Sequence, residues 1–557
     1  MSAPGPSLSK RPPKPSKPTK SAPKTSDAPL GADFTPITGK PFNARLVERV
    51  ARDNARVELA PAALERITEA RALLETVLND GEPHYGINTG FGSFSRQRIS
   101  NKDLESLQRN LIRSHASGVG TPLPAETVRA MMLLLIGSLS RGHSGVRPIV
   151  VETLVAMLNA GVLPVVPETG SVGASGDLAP LAHVAIVLIG EGEADFDGKR
   201  MSGGDALKAA KIKPVTLGAK EGLALINGTH LMAAQGALFV CDFERVFDAA
   251  EIAAAMSIDA CRATDAFLDE RVHTARCQLG QSVVAAQISH LLTGSQIIPS
   301  HMLNDPRVQD PYSLRCVPQV LGAAWEAFQY VRSCIDTELG AVTDNPLIFP
   351  SLKATTSPST PTTAKTHKSV ATPPQADIVS AGNFHGMPLA IPLDVAAIAC
   401  AHVAGIAERR IYHMLSAFDP EAKLPPYLSP SPGLHSGLMI AQYAAAACCN
   451  EIITLCTPAS VSNISTSAGV EDYNSFGPRS AAKARRALAL TRSVVAIELL
   501  CASEAIEHHR PLKSGPAVEH AIARIRKVVP KLTADRPPAP DIAAIESLIQ
   551  RGELAQA

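Results

Sequence analysis

The 557-residue chain has few aromatic residues and no excess of charge of either sign. Phe, Trp and Tyr make up only 4% of it, which disfavours a β-rich fold because aromatic residues are enriched in strands. Lys and Arg number 53 against 52 Asp and Glu. Without a basic excess, nucleic acid is not expected to be the main partner.

Zinc-type cysteine motifs and long apolar runs are also missing. The ten cysteines form no C-x-x-C pair and no Cys/His cluster with zinc spacing, which predicts free thiols in a reducing compartment. The longest apolar candidate, near residues 131–139, soon meets Arg141 and His143, so it is too short for a membrane span. We therefore expect a cytoplasmic protein that binds neither a metal ion nor a membrane.

Two low-complexity stretches stand apart from the rest of the chain. Residues 1–38 are rich in Pro, Lys and Ser and cannot bury enough apolar surface to offset their ordering entropy, which predicts a disordered tail. Residues 352–376 are rich in Thr, Pro and Ser between ordered-looking flanks, which predicts a surface insertion. The remainder, residues 39–557, is predicted to form one unit that carries the chemistry.

Most of that unit has a helical texture. Strand-like alternation is scarce, whereas long Ala-, Leu-, Val- and Ile-rich segments mostly lack Pro. These segments are residues 124–140, 147–160, 222–268, 316–340, 388–416, 436–456 and 480–507. The sequence therefore predicts a mainly α fold. Its long helices between residues 222 and 507 would form a central bundle, beside a smaller loop-rich N-terminal region with active-site loops between residues 85 and 230.

One glycine-rich loop, GSVGASGDLAPLAH at residues 170–183, contains a tripeptide that can cyclise. The Gly176 nitrogen would attack the carbonyl carbon of Ala174. Two waters would leave, one of them from the Ser175 hydroxyl, to give a methylidene-imidazolone ring. Gly176 suits this step because it has no Cβ, so its nitrogen can approach closely and unusual dihedral angles cost little.

The tripeptide alone is weak evidence for this chemistry. The same Ala-Ser-Gly recurs at residues 116–118, and a glycine-rich turn leading into a helix would explain the loop equally well. Gly170 and Gly173 favour cyclisation, since they let the backbone compress, but such strain needs a rigid surround to hold it. The residues elsewhere in the chain therefore decide between the two interpretations.

Other segments carry residues suited to amino-acid chemistry. Tyr85 in YGINTGFG could act as a base, although a reference pKa of about 10 requires neighbours that stabilise phenolate. Asn227 in ALINGTH is an amide in an apolar setting and needs hydrogen-bond partners. Arg315 in QDPYSLRC is suited to a bidentate clamp on a carboxylate. The structural alternatives are a loop tyrosine for Tyr85 and an ion pair for Arg315.

Taken with GSVGASGDLAPLAH, these segments resemble the histidine, phenylalanine and tyrosine ammonia-lyase family from about residue 40 to about residue 550. The resemblance implies a 4-methylidene-imidazole-5-one group made from Ala174, Ser175 and Gly176, with no metal and no dissociable cofactor. It implies a small amino-acid substrate, a fumarase/aspartase-like helical architecture, and a homotetramer with shared active sites. The signature loop of the fumarase/aspartase enzymes themselves is absent from this chain.

The resemblance also implies roles for the matching residues. Tyr85 would be the base, carried on a lid-like loop. Asn227 would contact the substrate backbone and the prosthetic ring, and Arg315 would bind the substrate carboxylate. Further residues expected at the same site are Gln309, Tyr312 and Phe384.

Two positions bear on the ring of the substrate. His115, preceded by Ser114, offers a hydrogen bond to a polar ring, and a Ser-His pair at this position resembles the histidine lyases. Glu451 aligns with the family carboxylate that contacts the imidazole, although a glutamate on a helix by default predicts a solvated face. Together they imply elimination of ammonia from L-histidine to give trans-urocanate.

Two alternatives remain open. GLHSG and KEGLALINGT also resemble tyrosine aminomutases, which can carry Ser-His as well, so the substrate could be tyrosine in a lyase or aminomutase reaction. The chain also departs from many family members by having Gly469 and Val470 in place of Asn-Gln. The second alternative is a non-catalytic helical scaffold, in which the tripeptide would stay uncyclised.

Overall fold

A computed structural model describes residues 34–350 and 376–554, apart from Asn79, Gly81, Phe91, Ser95 and Asn304. Most of the predicted tail and nearly all of the predicted surface insertion lie outside the described residues. The fold is mainly helical, as the sequence predicts.

The N-terminal half of the described chain mixes short strands with helices. Its elements are β1 (Phe34–Ile37), α1 (Ala44–Arg52), β2 (Arg56–Leu59), α2 (Pro61–Leu78), α3 (Leu104–His115), β3 (Val119–Pro122), α4 (Ala125–Leu139), α5 (Pro148–Ala160), β4 (Leu163–Pro164), β5 (Pro167–Thr169), α6 (Leu178–Leu188), β6 (Glu193–Phe196), β7 (Lys199–Ser202), α7 (Gly203–Ala209) and α8 (Glu221–Ile226). The strands pair as β1–β2, β3–β5 and β4–β6–β7.

The second half is dominated by long helices. Its elements are α9 (His230–Ala260), α10 (Glu270–Arg276), α11 (Leu279–Leu292), α12 (Tyr312–Arg315), α13 (Val317–Glu338), β8 (Leu347–Pro350), β9 (Ala376–Val379), α14 (Met387–Ser416), α15 (Met439–Leu455), α16 (Gly477–Glu507), α17 (Pro516–Arg526) and α18 (Pro538–Arg551). Strands β8 and β9 form an antiparallel pair.

A strand lies within the last residues of the predicted tail. Strand β1 pairs in parallel with β2, from Phe34 opposite Arg56 to Ile37 opposite Leu59. Ile37 is fully buried, and the Arg56 guanidinium lies 4.6 Å from the centre of the Phe34 ring. The prediction of a tail through residue 38 is therefore wrong at its end. The contacts of Phe34 and the burial of Ile37 offset the entropy that these residues lose when they become ordered.

The central bundle is built around α16, which packs against α9, α14, α15 and α18. Inside it, an ion pair between Arg410 of α14 and Glu498 of α16 is fully buried, with guanidinium-to-carboxylate distances of 2.5 and 2.9 Å. The Ser257 hydroxyl of α9 donates to the same carboxylate at 2.7 Å. Three long helices are thus joined at one polar point within an apolar core.

Helix α14 is the one described helix that is long and apolar enough to cross a membrane by length and composition. About two thirds of its most apolar stretch is buried inside the protein, against the neighbouring helices of the bundle. Its apolar character is therefore accounted for by its place in the core.

The predicted helix over residues 222–268 is interrupted. Helix α8 ends at Ile226 and α9 begins at His230, so that Asn227 lies in the break. Gly228 has φ +146°, and its carbonyl accepts the Asp177 N–H at 2.7 Å. Only glycine adopts this conformation readily, and the break brings Asn227 beside the glycine-rich loop.

Candidate active site

A cavity of about 820 Å³ lies between α3, α8, the first turn of α6 and several loops. Five of the residues predicted from the sequence line it, although they come from segments far apart in the chain. They are Tyr85, His115, Ser175, Asn227 and Phe384. The fold therefore gathers around one space the serine expected to react, the expected base, the buried amide, the histidine expected to select the substrate ring and the expected aromatic wall.

The loop that carries the cyclisable tripeptide is packed so tightly that two of its glycines, Gly173 and Gly176, leave no room for a side chain. Gly176 has φ +72°, and a Cβ added there would lie 2.2 Å from the Gly228 oxygen. Gly173 has φ +70°, and an added Cβ would lie 2.1 Å from the Ser475 hydroxyl. Ala174 is buried, whereas Ser175 is half-buried and reaches the cavity. The surround is thus the rigid one that a compressed loop requires.

Asp177 anchors the loop to the start of α9. Its buried carboxylate accepts the N–H groups of Leu231 and Met232 at 2.8 and 3.1 Å and the Ser171 hydroxyl at 3.2 Å. Burial raises the pKa of Asp177 to about 7, and the two backbone N–H groups and the hydroxyl act in the opposite direction. The carboxylate occupies the helix N-terminus, where negative charge is favoured.

The two Ala-Ser-Gly copies differ in whether the glycine N–H makes a hydrogen bond. The Gly118 N–H is donated to Nε2 of His183 at 3.1 Å, so the nitrogen of that copy is already engaged. The Gly176 N–H makes no hydrogen bond within the described part of the chain. Gly118 also lacks the left-handed conformation that compresses the backbone at Gly176. The sequence favoured residues 174–176 through their glycine-rich setting and the motifs elsewhere in the chain, and the structure adds this difference in the surroundings of the two copies.

Tyr85 is half-buried, and its phenol oxygen accepts a long hydrogen bond of 3.5 Å from the Gly92 N–H. Burial raises the pKa of Tyr85, and the negative charge of Glu471 raises it further, whereas the Gly92 N–H lowers it. The phenolate-stabilising surroundings that the sequence argument required are therefore incomplete within a single chain.

Asn227 presents an unused acceptor. Its side-chain N–H donates to the Asn345 carbonyl at 3.0 Å, but its buried Oδ1 has no partner among the described residues. Asn345 is itself fixed by the Ala381 N–H at 2.6 Å, and Lys220 and Asp344 form a buried ion pair of 2.6 Å beside it. A buried amide oxygen without a partner is costly, so a ligand N–H is the natural occupant of this position.

His115 has a defined tautomer. Its Nδ1 lies 2.8 Å from the Leu111 carbonyl oxygen, which can only accept, so Nδ1 carries a hydrogen. The neutral ring therefore keeps Nε2 as an acceptor, and the protonated ring would make it a donor. Either form offers a hydrogen bond to a polar group in the cavity.

Six predicted residues do not line this cavity. Ala174 and Gly176 are the buried neighbours of Ser175 in the loop, and the other four lie elsewhere: Gln309, Tyr312, Arg315 and Glu451. Tyr312 is 69% exposed, and Arg315 makes no ion pair within the described residues. Glu451 is exposed and binds the Arg486 guanidinium through both oxygens, at 2.7 and 3.0 Å. The assignment of these four residues to the site depends on the predicted sharing of sites between subunits, and it stays a prediction.

Two residues that line the cavity, Glu471 and Asn345, were not predicted from the sequence. Glu471 lines the cavity and accepts the Ser175 hydroxyl at 3.3 Å. Glu471 directly follows Gly469 and Val470, which replace the Asn-Gln of many family members, and this could have drawn attention to it. No pattern in the sequence, however, predicts that Glu471 lies next to Ser175. Asn345 is brought to the cavity by the β8–β9 pair, whose long connection hid the pairing.

The chain is similar to known proteins over most of its length. The family model for aromatic amino acid lyase matches residues 43–527. The chain is 45% identical over 526 residues to histidine ammonia-lyase of Anaeromyxobacter sp. (strain K), covering 93% of this chain and 99% of that protein. Histidine ammonia-lyase from Trypanosoma cruzi has a similar crystal structure, with TM-score 0.82, 37% identity and 94% of each chain covered. Tyrosine aminomutase from Streptomyces globisporus is also similar, with TM-score 0.83, 33% identity, and coverage of 93% and 97%.

Proposed function

The chain belongs to the aromatic amino acid lyase family and is an ammonia-lyase, and we propose that it converts L-histidine to trans-urocanate and ammonia. The observation that carries the choice of histidine is His115, which lines the cavity with Nε2 available for a hydrogen bond. An imidazole substrate can both donate and accept, so it suits this nitrogen in either protonation state. A phenyl ring would leave the same nitrogen without a partner.

We also propose that Ala174, Ser175 and Gly176 cyclise to the 4-methylidene-imidazole-5-one group. The surroundings fit this group: the Gly176 nitrogen is not engaged, the Gly173 and Gly176 conformations exclude a side chain, and the Ser175 side chain reaches the cavity. Once formed, the group would supply an electrophilic carbon to the substrate amine, which makes the nitrogen a better leaving group. No metal ion or dissociable cofactor belongs to this proposal.

The chain's own residues would bind the substrate and move its proton. Tyr85 would take the β-proton of the substrate, because its half-buried side chain lines the cavity. The free Oδ1 of Asn227 would accept from the substrate amine, and His115 would hold the imidazole. Phe384 would form an apolar wall, which excludes water and strengthens each polar contact.

We propose that the remaining site residues come from neighbouring subunits of a homotetramer. Arg315 would bind the substrate carboxylate, which suits a guanidinium without an ion pair in the described chain. The apolar residues beside it on the chain are exposed, as expected of a surface that another chain covers: they are Met302, Leu303, Val308 and Tyr312. Gln309 lies in the same segment, and Glu451 would reach the imidazole only across such an interface.

A cytoplasmic setting completes the proposal. All ten cysteines are free, and four of them are fully buried in the structure. Unpaired thiols suit a reducing compartment. The amino-acid substrate would be drawn from the same compartment.

A panel of histidine, tyrosine and phenylalanine, with products identified by mass spectrometry, tests the substrate. We expect urocanate from histidine as the main product. In His115→Leu, the preference for histidine over phenylalanine should fall by about 100-fold, because the imidazole would lose a hydrogen-bond partner that a phenyl ring never had. Coumarate or β-tyrosine without urocanate would instead establish the tyrosine lyase or aminomutase that the fold similarity also allows.

The raised pKa of Tyr85 predicts the direction of the pH dependence. A base acts when deprotonated, and below its pKa the deprotonated fraction grows about tenfold for each pH unit. We therefore expect kcat/KM for histidine to rise between about pH 7 and about pH 9. Tyr85→Phe should lower activity by about 100-fold or more and abolish this rise. A profile that falls across the same range would argue against Tyr85 as the base.

A further inference from the structure

Glu471 contacts the one side-chain atom that must leave during cyclisation. The Ser175 hydroxyl donates to Oε1 of Glu471 at 3.3 Å. Glu471 is half-buried at the cavity wall, on a segment almost three hundred residues further along the chain. This hydrogen bond exists only while Ser175 keeps its oxygen, so it belongs to the uncyclised chain.

The carboxylate is held in place from its other side. The Thr466 hydroxyl donates to Oε2 at 3.1 Å, and the backbone pair between Thr466 and Glu471 has N–H to O distances of 2.8 and 3.3 Å. Oε1 of Glu471 therefore faces Ser175. Oε2 is held by Thr466, which also pairs with the Glu471 backbone. A positioned carboxyl group at a reacting oxygen is the arrangement that general acid–base catalysis needs.

The other carboxylate near the tripeptide is less suited to this task. Both oxygens of Asp177 are engaged, Oδ2 by two backbone N–H groups of α9 and Oδ1 by the Ser171 hydroxyl. Asp177 makes no hydrogen bond to the Ser175 hydroxyl in the structure. Its contacts serve to hold the loop, and Glu471 is the one described residue that accepts the hydrogen bond of the leaving hydroxyl.

We propose that Glu471 is the acid–base catalyst of the Ser175 dehydration, an inference that rests on the proposed cyclisation. As the carboxylate that accepts the Ser175 hydroxyl, Glu471 first takes the proton lost from Cα of Ser175, directly or through water. It then gives this proton to Oγ as the Cβ–O bond breaks, so that the oxygen leaves as water with the bonding electron pair and the carboxylate is restored. The Cα–H electron pair becomes the Cα–Cβ double bond, so no oxidant or other reactant is needed.

The first water leaves by a different route. It comes from the Ala174 carbonyl oxygen after the Gly176 nitrogen has attacked, and Glu471 has no contact with either atom. Loss of the Glu471 carboxyl should therefore slow the second dehydration selectively. A chain blocked at that step would be one water lighter than its sequence mass, with the Ser175 oxygen still present.

The test follows maturation by mass, independently of activity. The full chain is synthesised, and the mass of the peptide containing residues 170–183 is recorded over time for wild type, Glu471→Gln, Glu471→Asp and Asp472→Asn. Asp472 is the exposed carboxylate next in the chain, so Asp472→Asn makes the same charge change beside the site. Circular dichroism reports whether each chain folds.

We expect wild type and Asp472→Asn to lose two waters at the same rate. Glu471→Gln should lose the second water about 100-fold more slowly and accumulate the species one water lighter. Glu471→Asp, whose carboxyl is one methylene shorter, should fall between them and carries the test if Glu471→Gln does not fold. Loss of two waters at the wild-type rate in either folded Glu471 variant would overturn the proposal. A wild-type chain that keeps both waters would overturn the proposed cyclisation itself.

Discussion

Ser175→Ala is expected to lower ammonia release from histidine by at least three powers of ten, about 4 kcal/mol of transition-state stabilisation. The alanine lacks the hydroxyl whose loss creates the electrophilic carbon, so the substrate amine would have no covalent partner. The fold should be retained, because the side chain is half-buried at the cavity and gives up only the hydrogen bond to Glu471. Urocanate absorbance measures the activity, and the mass of the 170–183 peptide should show that the water from residue 175 is not lost.

The second tripeptide supplies a matched control. Ser117→Ala makes the same chemical change in Ala116–Gly118, where the Gly118 N–H is bound to His183 and the Ser117 side chain is exposed. We expect this variant to retain most of its activity. Full activity in Ser175→Ala, or a comparable loss in both variants, would show that the cyclisation is assigned to the wrong residues.

Arg410→Met is expected to lower the free energy of unfolding by about 4 kcal/mol, because it leaves the Glu498 carboxylate buried without its partner. The Ser257 hydroxyl would remain as its one contact from α9, too little to offset the desolvation of a charge. Arg410 also donates to the Ser313 carbonyl at 3.4 Å, within the short helix that carries Tyr312 and Arg315. Stability is measured as the midpoint of thermal or denaturant unfolding.

Two further variants separate the buried charge from a general effect of losing an arginine. Arg200→Met removes the partner of Asp195 in a pair whose side chains are each 46% exposed, and should cost less than about 1 kcal/mol. The double variant Arg410→Met/Glu498→Leu replaces the whole pair with apolar side chains and should recover much of the loss. Equal losses in Arg410→Met and Arg200→Met would contradict the assignment of Arg410–Glu498 as the polar joint of the bundle.

Most of the long helices could be predicted from local sequence patterns. Predicted segments 147–160, 316–340 and 388–416 correspond to α5, α13 and α14 within about two residues at each end. Such segments carry their own signal, since apolar periodicity and the absence of Pro act over one or two turns. The prediction over 222–268 was wrong where a long-range requirement intervened, because Gly228 opens the helix to meet Gly176.

The residues of the candidate site could be predicted only in part from the sequence. Ser175, Tyr85 and Asn227 stand in short motifs whose residue types already indicate their chemistry, and all three line the cavity. Glu471 carries no such motif, and its importance arises only from lying 3.3 Å from the Ser175 hydroxyl. The surroundings of Tyr85 could not be predicted from the sequence either. Burial and the charge of Glu471 raise the pKa of Tyr85, whereas a base needs a lowered pKa.

The sequence by itself determined the helical fold and the class of reaction, and it indicated residues 174–176 as the tripeptide, because each of these depends on residue types and spacings within short segments. Only the tertiary structure shows how the surroundings of the two Ala-Ser-Gly copies differ. The copies share their letters, but the Gly118 nitrogen is bound by His183, whereas the Gly176 nitrogen makes no hydrogen bond within the described chain and its Cα faces the Gly228 backbone. Whether an amide nitrogen is engaged depends on neighbours distant in the chain, and those neighbours exist only after folding.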